Sequence, residues 1–494
     1  MSDVRSTGED RPLSAIVLAA GEGTRMRSER PKPLHLLCGK AMLLYVLDSL
    51  LDCEIQRAVV VVGHGAERVT KKLQEHEPDL VLDFVEQHVQ RGTGDAVSVG
   101  LTGFPDDVID FGDGDVLVLP GDTPLLRAAT VAALVAEHRR RDAACTVLTA
   151  RVPDPTGYGR VLRGKDDRVH RIVEDADAID DEKAVDEINT SIYCFRQSVL
   201  APALRRLSPE NAQGEYYLTD VLEVLRQTGH TVVAVPANDP TAALHVNNRA
   251  QLAAAEAVLR ERINDRWMHE GVGMVDPAST YVDAAVELEP DVRLLPGTML
   301  EGRTVIGAGS VVGPDCRLVD TIVGERAVIQ NAVARDAEIG DDCTVGPYVS
   351  LRPGTRLAAG AHVGTFVETK NAEIGEGAKV PHLSYMGDVE IGPRANIGAG
   401  SITANYDGRH KHRTTIGADT RISSNTVFVA PVEIGDGAHT GAGAVVNHDV
   451  PPGAMAKGVP ARIDEGWVER RAAEASGDPD AGGEDGQEAD NPET

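Results

Sequence analysis

The spacing of apolar residues divides the chain into two parts. From residue 13 to about residue 246, short apolar runs alternate with amphipathic stretches, which is the pattern of β-α-β units around a mostly parallel sheet. The clearest buried strands are predicted at residues 15–19, 58–62, 116–119 and 146–150. We therefore expect an α/β domain over residues 13–246, with these four strands in one sheet.

A long helix is predicted over residues 247–270. This stretch is rich in Ala, Leu, Glu and Arg and contains few residues that interrupt helices. We expect it to connect the α/β domain to the rest of the chain.

After the helix the apolar period becomes six residues. The clearest members of the repeat are Ile339, Val345, Leu351, Leu357, Val363, Ile416, Ile422, Phe428, Ile434, Thr440 and Val446. Earlier and more ragged members are predicted at Met299, Val305 and Val311. Neither a helix nor a simple strand has this period, whereas a parallel β-helix of hexapeptide repeats does, with one aliphatic residue of each hexad pointing inward. We predict such a solenoid over residues 271–465.

The six-residue period breaks twice, between Val363 and Ile374 and between Thr403 and Ile416. Insertions in a solenoid usually protrude as loops on its outside and often carry its function. At the two ends of the chain, residues 1–12 form a polar extension. Residues 466–494 are predicted to be a disordered acidic tail, because the final stretch contains acids but almost no large apolar side chain.

The formal net charge of -28 argues against a nucleic-acid partner, because phosphate backbones are bound by clustered Lys and Arg. No apolar run approaches the length of about 18 residues that a membrane span needs, so we expect no membrane association and a cytoplasmic location. The six cysteines lack metal-ligand spacing and are interpreted as reduced, small apolar residues.

A glycine-rich turn follows the first predicted strand. The residues of this turn and the cations behind it are Leu18, Ala19, Ala20, Gly21, Gly23, Arg25 and Lys32. Such a turn leaves backbone amides free to face phosphate, and a following helix adds its positive N-terminal end. A bare Gly-x-Gly is more often only a tight turn, but Arg25 and Lys32 at these offsets favour a phosphate site. The spacing fits neither a Walker loop nor a full dinucleotide fingerprint.

The turn is similar to the start motif of the sugar-1-phosphate nucleotidyltransferases, L-x-x-G-x-G-T-R with P-K a few residues on. Further matching positions follow in order: Gln87, Gln90, 92–94, 121–122, 157–160, Glu174, 187–189 and 246–248. With the hexads behind them, they resemble the bacterial bifunctional N-acetylglucosamine-1-phosphate uridyltransferase/glucosamine-1-phosphate N-acetyltransferase family over roughly residues 13 to 450. The resemblance implies a Rossmann-like nucleotidyltransferase domain followed by a left-handed parallel β-helix. Handedness does not follow from the hexads themselves, since ordinary parallel crossovers favour the right hand.

The resemblance implies that the first domain transfers uridylyl from UTP to a sugar phosphate. A phosphate oxygen attacks the α-phosphorus and pyrophosphate leaves, so charge neutralisation and alignment are the main needs. Arg25 and Lys32 are the implied catalytic residues. Mg²⁺ is implied at Asp122, with the Asn247 carbonyl oxygen as second ligand. Each of these two residues, taken alone, is more often a helix cap or turn residue.

Contacts to the uracil and the sugar are also implied by the resemblance. Gln87 with Gly92 and Thr93 would read the uracil. The other implied nucleotide and sugar contacts are Gly121, Gly159, Glu174 and Asn189. Glu174 begins a charge run, so the alternative for it is a solvated surface acid.

The solenoid carries the second set of candidate residues. Attack on a thioester needs an unprotonated amine, so the site requires a base and donors for the oxyanion. His382 is the candidate base, although a lone histidine is structural more often than catalytic. The segments that match the acetyltransferase half of the family are 351–354, 366–370, 382–385, 396–400 and 405–408.

By the resemblance, Arg352 and Lys370 clamp the sugar phosphate, while Tyr385 and Asn396 position the sugar. The alternative for the two cations is a place among solvated rim charges. The residues implied for the acetyl-CoA groove are Ala399, Asn405, Tyr406, Ser424 and Ala442.

One position departs from the family, which usually has an Arg near the end of the solenoid for the coenzyme A phosphates. Here Lys457 and Arg462 are the nearby cations, and a lysine lacks the bidentate fork of an arginine.

Three functional hypotheses follow. The leading one is a bifunctional enzyme that acetylates glucosamine-1-phosphate with acetyl-CoA and then joins the product to UTP, giving UDP-N-acetylglucosamine. The second is a nucleotidyltransferase for another sugar or base whose solenoid only assembles subunits, and the third is a scaffold with dead sites. The flat sides and exposed ends of a solenoid predict self-association, and the resemblance implies a homotrimer with shared acetyl sites.

Overall fold

The computed structural model describes residues 11–75, 80–104, 114–165 and 168–476. The chain forms two compact units, Met1–Leu259 and Arg260–Thr494. The boundary falls inside the helix Arg249–His269, which is the long helix predicted over residues 247–270. Among the described residues, no helix combines the length and the apolar character needed to cross a bilayer.

The first unit is built on a nine-stranded sheet, and its mostly parallel character confirms the predicted fold class. Seven strands lie side by side in the order Val232–Pro236, Cys145–Arg151, Glu187–Arg196, Asp115–Pro120, Leu13–Ala19, Arg57–Val62 and Leu82–Glu86. All four predicted strands are among them. Only Glu187–Arg196 runs antiparallel to its neighbours on this path. The remaining strands of the unit are Arg160–Arg163 and Val169–Val173 in the same sheet, and the short pair Leu36–Leu37 and Lys40–Ala41.

Helices cover both faces of this sheet. Among the described residues, the α-helices of the unit are Met42–Leu51, Ala66–Gln74, Thr93–Leu101, Ala128–Arg140, Asp180–Lys183, Gln197–Leu204 and Asp220–Gln227, together with the first part of Arg249–His269. The 3₁₀ turns are Thr24–Met26, Lys32–Leu34 and Pro240–Ala243. Alternate residues of the first strand enter separate apolar cores, with Ala15 and Val17 on one side and Ile16 on the other. Burial on both faces explains why these strands are continuous apolar runs.

The carboxyl ends of two neighbouring parallel strands define where chemistry can occur. Leu13–Ala19 pairs in parallel with Asp115–Pro120. The glycine-rich turn follows the first of these strands and Asp122 follows the second, so both emerge at the same edge of the sheet. Ligands bind at this edge in open α/β sheets.

The second unit is a parallel β-helix, as the hexads predicted. Most paired strands are 16 to 18 residues apart, as in Arg293↔Val311 and Ile322↔Glu338, so one coil contains about three hexads. The strands of the first sheet are Gly273–Met274, Arg293–Leu294, Val311–Val312, Val328–Ile329, Thr344–Val345, His362–Thr365, Lys379–His382, Asn396–Ile397, Arg421–Ile422, His439–Thr440, Met455–Gly458 and Ala461–Asp464.

The second sheet of the solenoid has seventeen strands. They are Tyr281–Val282, Glu287–Leu288, Met299–Glu301, Val305–Ile306, Arg317–Val319, Ile322–Val323, Ala332–Arg335, Ala337–Ile339, Val349–Leu351, Thr355–Leu357, Glu368–Ile374, Tyr385–Ile391, Ile402–Ala404, Thr414–Ile416, Val427–Val429, Val432–Ile434 and Val445–Val446. A 3₁₀ turn, Pro277–Ser279, precedes the first of them.

The inward position of the hexads is confirmed for the two regular series, whose members from Ile339 to Val363 and from Ile416 to Val446 are all buried. The prediction is wrong for the ragged early members. Met299, Val305 and Val311 point away from the shaft, and the next residues, Leu300, Ile306 and Val312, are fully buried instead. Each of these early hexads contains two adjacent apolar residues, so the period alone did not select the inner one.

The two predicted breaks differ. The second is an insertion, because Ile402 pairs with Val427, 25 residues further on. The prediction of a protruding loop between Val363 and Ile374 is wrong. His362 pairs with Lys379, 17 residues on, and the segment is largely the strand Glu368–Ile374. Here the chain has one residue fewer than two full hexads, so the period shifts without a loop.

The C-terminal end corrects another prediction. A helix, Trp467–Ser476, lies within the range 466–494 that was predicted to be disordered. It follows the antiparallel pair Met455–Gly458 and Ala461–Asp464. The apolar residues Trp467 and Val468 support this helix, and they precede the purely acidic stretch. Residues 477–494 and residues 1–10 of the predicted N-terminal extension lie outside the described residues.

Candidate active sites

A cavity of about 420 Å³ opens at the carboxyl edge of the sheet in the first unit. Most of the residues predicted for the nucleotide and sugar line it, including Leu18, Ala19, Ala20, Gly21, Lys32, Gln87, Gly92, Thr93, Gly121, Asp122 and Glu174. The parallel strands bring these dispersed positions together. The cavity is thus the candidate site of nucleotidyl transfer.

Four predicted polar residues meet at one side of this cavity. The Lys32 ammonium contacts Oδ2 of Asp122 and lies 2.7 Å from Oδ1 of Asn247. Arg25 donates to the same Asn247 oxygen over 3.1 Å. Two cations and two oxygen acceptors therefore form a single cluster, although Asp122 and Asn247 are far apart in sequence.

Gly23 explains the close approach of Lys32 to this cluster. Its backbone is left-handed, with φ of +66°, and a Cβ there would lie 2.7 Å from Cβ of Lys32. Any side chain at Gly23 would push Lys32 away. The glycine in the turn is thus required by both backbone conformation and space.

Asp122 is held as a carboxylate. Burial raises its pKa, but the charges of His245 and Lys32 outweigh burial and hold the pKa well below its usual range. The two partners contact different oxygens, since Nδ1 of His245 lies 2.9 Å from Oδ1 and Lys32 contacts Oδ2. A permanently ionised carboxylate suits cation binding.

The donor set fits Mg²⁺. The oxygens of Asp122 and Asn247 already converge on one cation, the Lys32 ammonium, and both are hard ligands. In the described parts of the chain, no group of three or more His, Cys, Asp or Glu residues could hold a metal. The protein would therefore supply one carboxylate and one amide oxygen, which is typical of sites where phosphates complete the coordination of Mg²⁺.

The residues predicted to read uracil lie beside the glycine-rich turn. Gln87 donates to Oδ2 of Asp95 over 2.7 Å, and Gln90 donates to the carbonyl oxygen of Ala20 over 2.6 Å. Gly92 has φ of +107°, and a Cβ there would lie 2.6 Å from the Tyr216 carbonyl oxygen. The hydrogen bond to Asp95 orients the Gln87 side-chain amide, and Gly92 lines the cavity.

The predicted sugar contacts Gly159, Glu174 and Asn189 lie close together, and Glu174 lines the cavity. A Cβ on Gly159 would lie 3.4 Å from Glu174 and 3.5 Å from Cβ of Asn189, so these three residues are neighbours. Glu174 accepts from the Thr219 hydroxyl over 3.0 Å, and burial raises its pKa. The alternative of a solvated surface acid is therefore wrong for Glu174. Asn189 donates to the hydroxyl of Tyr193.

Several residues of this cavity were missed by sequence reasoning. They are Ser191, Gln213, Glu215, Tyr217, Thr219 and His245, whereas Gln90 was noted as a family match without a role. His245 stands only two residues before Asn247, which was a usable signal. The run 213–219 carries no comparable chemical pattern, and in the fold it is held by backbone hydrogen bonds of Tyr216 to Arg91 and Gly94.

In the solenoid, four predicted residues occupy equivalent places on successive coils. Backbone amides of Gly400, Asn425 and Gly443 donate to the carbonyl oxygens of His382, Ala399 and Ser424, respectively. His382, Ala399, Ser424 and Ala442 therefore form one column, which we call the corner column. Small side chains follow the exposed His382 along this column. The corner column leaves room for an extended ligand that starts at the histidine.

A cationic cluster is formed by residues of the preceding coils together with Lys411 of the second insertion. Arg352 follows the residue that pairs with Thr369, which places it beside Lys370. The nearby Lys411 ammonium, with a smaller effect from Arg352, lowers the pKa of Lys370. Glu368 binds Arg352 over 2.7 Å. Three cations with one paired acid suit a phosphate, and Lys411, in the second insertion, was missed by sequence reasoning.

The predicted sugar and coenzyme residues surround Gly387. Lys370 pairs with Gly387, and a Cβ there would lie 2.4 Å from the Tyr385 hydroxyl and 2.8 Å from Nδ2 of Asn405. Asn405 also donates to Asp388 over 2.6 Å.

Two other predicted residues flank this region. Asn396 lies in the strand Asn396–Ile397, and Tyr406 begins the insertion, where it forms a bridge to Lys411. The Tyr406 ring is exposed, at 61%.

The two cations proposed in place of the family arginine are opposite each other. Lys457 pairs with Arg462 in the terminal hairpin, and the Lys457 ammonium lies 3.7 Å from Asp464. Both side chains are exposed.

Comparisons with known proteins find matches to both parts of the chain. Residues 15–271 match the family described as MobA-like NTP transferase domain, and residues 413–448 match bacterial transferase hexapeptide repeats. The chain is 50% identical to a bifunctional GlmU protein of Streptomyces avermitilis over 93% of this chain and 95% of that protein. It is 50% identical to GlmU of Thermobifida fusca over the same shares, and 48% identical to GlmU of Mycobacterium tuberculosis over 94% of each chain.

Proposed function

Because this chain belongs to the family of bifunctional GlmU proteins, it is a uridyltransferase and acetyltransferase of UDP-N-acetylglucosamine synthesis, and we propose which residues carry each half-reaction. The observation that carries the assignment is the presence of two separate clusters of cations with polar partners, one in each unit. The Lys32 cluster serves UTP and N-acetylglucosamine-1-phosphate. The Lys370 cluster serves glucosamine-1-phosphate.

For uridylyl transfer, Lys32 and Arg25 neutralise the triphosphate and align the α-phosphorus with the attacking phosphate oxygen. The backbone around Gly21 faces the phosphates, and Gln87 with Gly92 and Thr93 binds the uracil. Mg²⁺, held by Asp122 and Asn247, supplies further neutralisation of the leaving pyrophosphate when bound. The carboxylate state of Asp122 supports this role.

The sugar is bound between Gly159, Glu174 and Asn189. Glu174 and Asn189 offer an oxygen acceptor and an amide for the hydroxyls and the acetamido group. Their mutual proximity and the burial of Glu174 support this proposal.

For acetyl transfer, the amine nitrogen of the sugar attacks the thioester carbon, and His382 takes the proton of the amine. The carbon–sulfur bond then breaks and the coenzyme thiolate leaves. Arg352 and Lys370, with Lys411, bind the sugar phosphate. Tyr385 and Asn396 position the sugar, and Asn405 and Tyr406 join the corner column in binding acetyl-CoA. The small residues after His382 support the placement of the coenzyme along this column.

The other two hypotheses lose support. A solenoid that only assembles subunits does not need His382, Arg352 and Lys370 in matching segments, and a scaffold does not need an ionised Asp122 among cations. Family membership agrees with two activities in one chain.

We further propose a cytoplasmic homotrimer. The structure describes all six cysteines and none is in a disulfide, which is typical of proteins in reducing compartments. On three successive coils the exposed apolar residues Tyr348, Phe366 and Leu383 stack at one corner, with Tyr348 and Phe366 ring centroids 5.5 Å apart. An exposed apolar column supports self-association, and the number three rests on the family resemblance.

A coupled assay tests the division of labour. The reaction contains acetyl-CoA, glucosamine-1-phosphate, UTP and Mg²⁺, and both free thiol and pyrophosphate are measured. We expect Lys32→Ala to stop at N-acetylglucosamine-1-phosphate with normal thiol release. We expect His382→Ala to release pyrophosphate only when N-acetylglucosamine-1-phosphate is added. Loss of both half-reactions in either folded variant would contradict independent sites.

A further inference from the structure

His245 lies between the metal-binding carboxylate and the rigid frame of the first unit. Its Nδ1 is 2.9 Å from Oδ1 of Asp122, and its Nε2 is 3.1 Å from the carbonyl oxygen of Thr190. Carboxylate and carbonyl oxygens only accept, so each ring nitrogen that carries a proton donates to the oxygen it faces. The ring of Tyr158 lies beside it, with centroids 5.8 Å apart. The imidazole is therefore fixed at two points.

The histidine occupies only one oxygen of Asp122. Oδ2 faces the Lys32 ammonium, which also contacts Oδ1 of Asn247. We propose that His245 is a positioning residue that holds Oδ1 of Asp122, so that Oδ2 points at Mg²⁺ beside Asn247. This inference rests on the Mg²⁺ site proposed above.

Asp122 needs a second contact because the torsion that orients an aspartate carboxylate has no strong preference of its own. The last side-chain torsion of aspartate is broad, so an unrestrained carboxylate samples many orientations. A second partner that orients a metal ligand is typically worth 10- to 100-fold in metal affinity or activity. Thr190 is fully buried, so the anchor of the ring is itself immobile.

Two substitutions test separately the contact of His245 with Asp122 and its contact with Thr190. His245→Asn keeps an amide nitrogen near the position of Nδ1 and can still donate to Asp122. His245→Gln places its amide nitrogen near the position of Nε2, so it keeps the bond to Thr190 and loses the one to Asp122. The pair is matched because each variant removes the ring and retains one donor.

The measurement is the binding of Mn²⁺ together with UTP to the full chain, monitored by the relaxation rate of water protons. Sugar phosphate is omitted, so no turnover occurs. We expect His245→Gln to weaken binding of the pair by about 10-fold or more, and His245→Asn to retain most of the affinity. We also expect His245→Gln to raise the Mg²⁺ concentration for half-maximal uridylyl transfer, while saturating Mg²⁺ restores much of kcat.

Asp122→Asn distinguishes the two levels of the proposal. If this variant binds Mn²⁺ with UTP like the wild type, the metal site itself is wrong. If Asp122→Asn loses binding but His245→Gln does not, or if both His245 variants lose it equally, the positioning role is overturned. Unchanged thiol release from acetyl-CoA and an unchanged unfolding temperature verify that each variant is folded.

Discussion

Gly387 shows how a residue without a side chain can control a site. It is the place where Tyr385 and Asn405 approach the backbone, so its hydrogen is covered by two residues proposed to bind ligands. An added methyl group would collide with flexible side-chain ends and not with the backbone. The solenoid would therefore persist while the two side chains move.

We predict that Gly387→Ala lowers acetyl transfer by about 100-fold, because displacements near 1 Å in a site have effects of this size. Uridylyl transfer should be unchanged. The matched control is Gly273→Ala in the same solenoid, where the new Cβ meets no atom closer than 3.8 Å. Full acetyl-transfer activity in Gly387→Ala would contradict the proposed roles of Tyr385 and Asn405.

At this scale the sequence was informative where the residue type itself carries charge or chemistry. Arg25, Lys32 and Asp122 were predicted from a short motif and a strand end, and the structure brings them together. His245 was not predicted, although it stands two residues before Asn247, because no motif marked it and its contact with Asp122 exists only in the folded chain. Lys411 was missed for the same reason, since its partner Lys370 lies on an earlier coil.

At the scale of elements, a buried charge joins a strand to a helix in the first unit. Asp115 begins the strand Asp115–Pro120, and its carboxylate meets His138 at 3.3 Å and Arg139 at 3.0 Å on the helix Ala128–Arg140. Burial raises the pKa of Asp115, but His138 and the arginines outweigh burial and lower it. The strand and helix are therefore joined by an ionised pair away from water.

We predict that Asp115→Asn destabilises the first unit by about 3 kcal/mol, because it removes the buried carboxylate that Arg11 and Arg139 contact. Its unfolding temperature should fall by roughly 10 °C. Since the folded pKa is lowered, the stabilisation is present above about pH 4 and is lost as the pH falls further. Denaturant titrations at pH 7 and pH 3 should show the difference shrinking at the lower pH.

The control for this prediction is Asp48→Asn, which removes the more exposed pair with Lys40. Surface pairs are worth at most about 1 kcal/mol, so this variant should remain close to the wild type. Equal stability of wild type and Asp115→Asn at pH 7 would contradict the prediction.

The inward-facing residues of strands and hexads could be predicted where the apolar period allowed only one residue to point into the core. The strands around Val17 and the hexads from Ile339 onward fulfil this condition. The early hexads do not, because Met299 and Leu300 are both apolar and only packing inside the shaft selects Leu300. The helix at Trp467 was missed because the acidic composition of the final residues was extended too far toward the solenoid.

At the scale of the whole molecule, we propose that the exposed residues Tyr348, Phe366 and Leu383 are the contact surface of the assembly. Tyr348 and Phe366 are 60% and 59% exposed, and the shared acetyl sites are implied only by the family resemblance. We predict that the double variant Tyr348→Asp, Phe366→Asp forms smaller species in analytical ultracentrifugation. It should lose acetyl transfer and retain uridylyl transfer.

Ile179→Asp in the first unit is the control, since Ile179 is similarly exposed, at 64%. It should sediment like the wild type. An unchanged assembly in the double variant would show that these rings are not the contact surface. Subunit number could not be predicted from the hexads, because flat solenoid sides permit several symmetries.

The corner column sets a fixed distance between the two ends of the proposed acetyl-CoA site. Neighbouring coils are separated by the strand spacing of about 4.8 Å, so His382 and Ala442 stand about 14 Å apart along the axis. Adding one complete coil after Ala399 would preserve the ladder and the aliphatic shaft, yet it would lengthen this distance by about a third. The height of such a solenoid can thus change elsewhere without altering the corner column, whereas the proposed coenzyme site fixes the number of coils between His382 and Ala442.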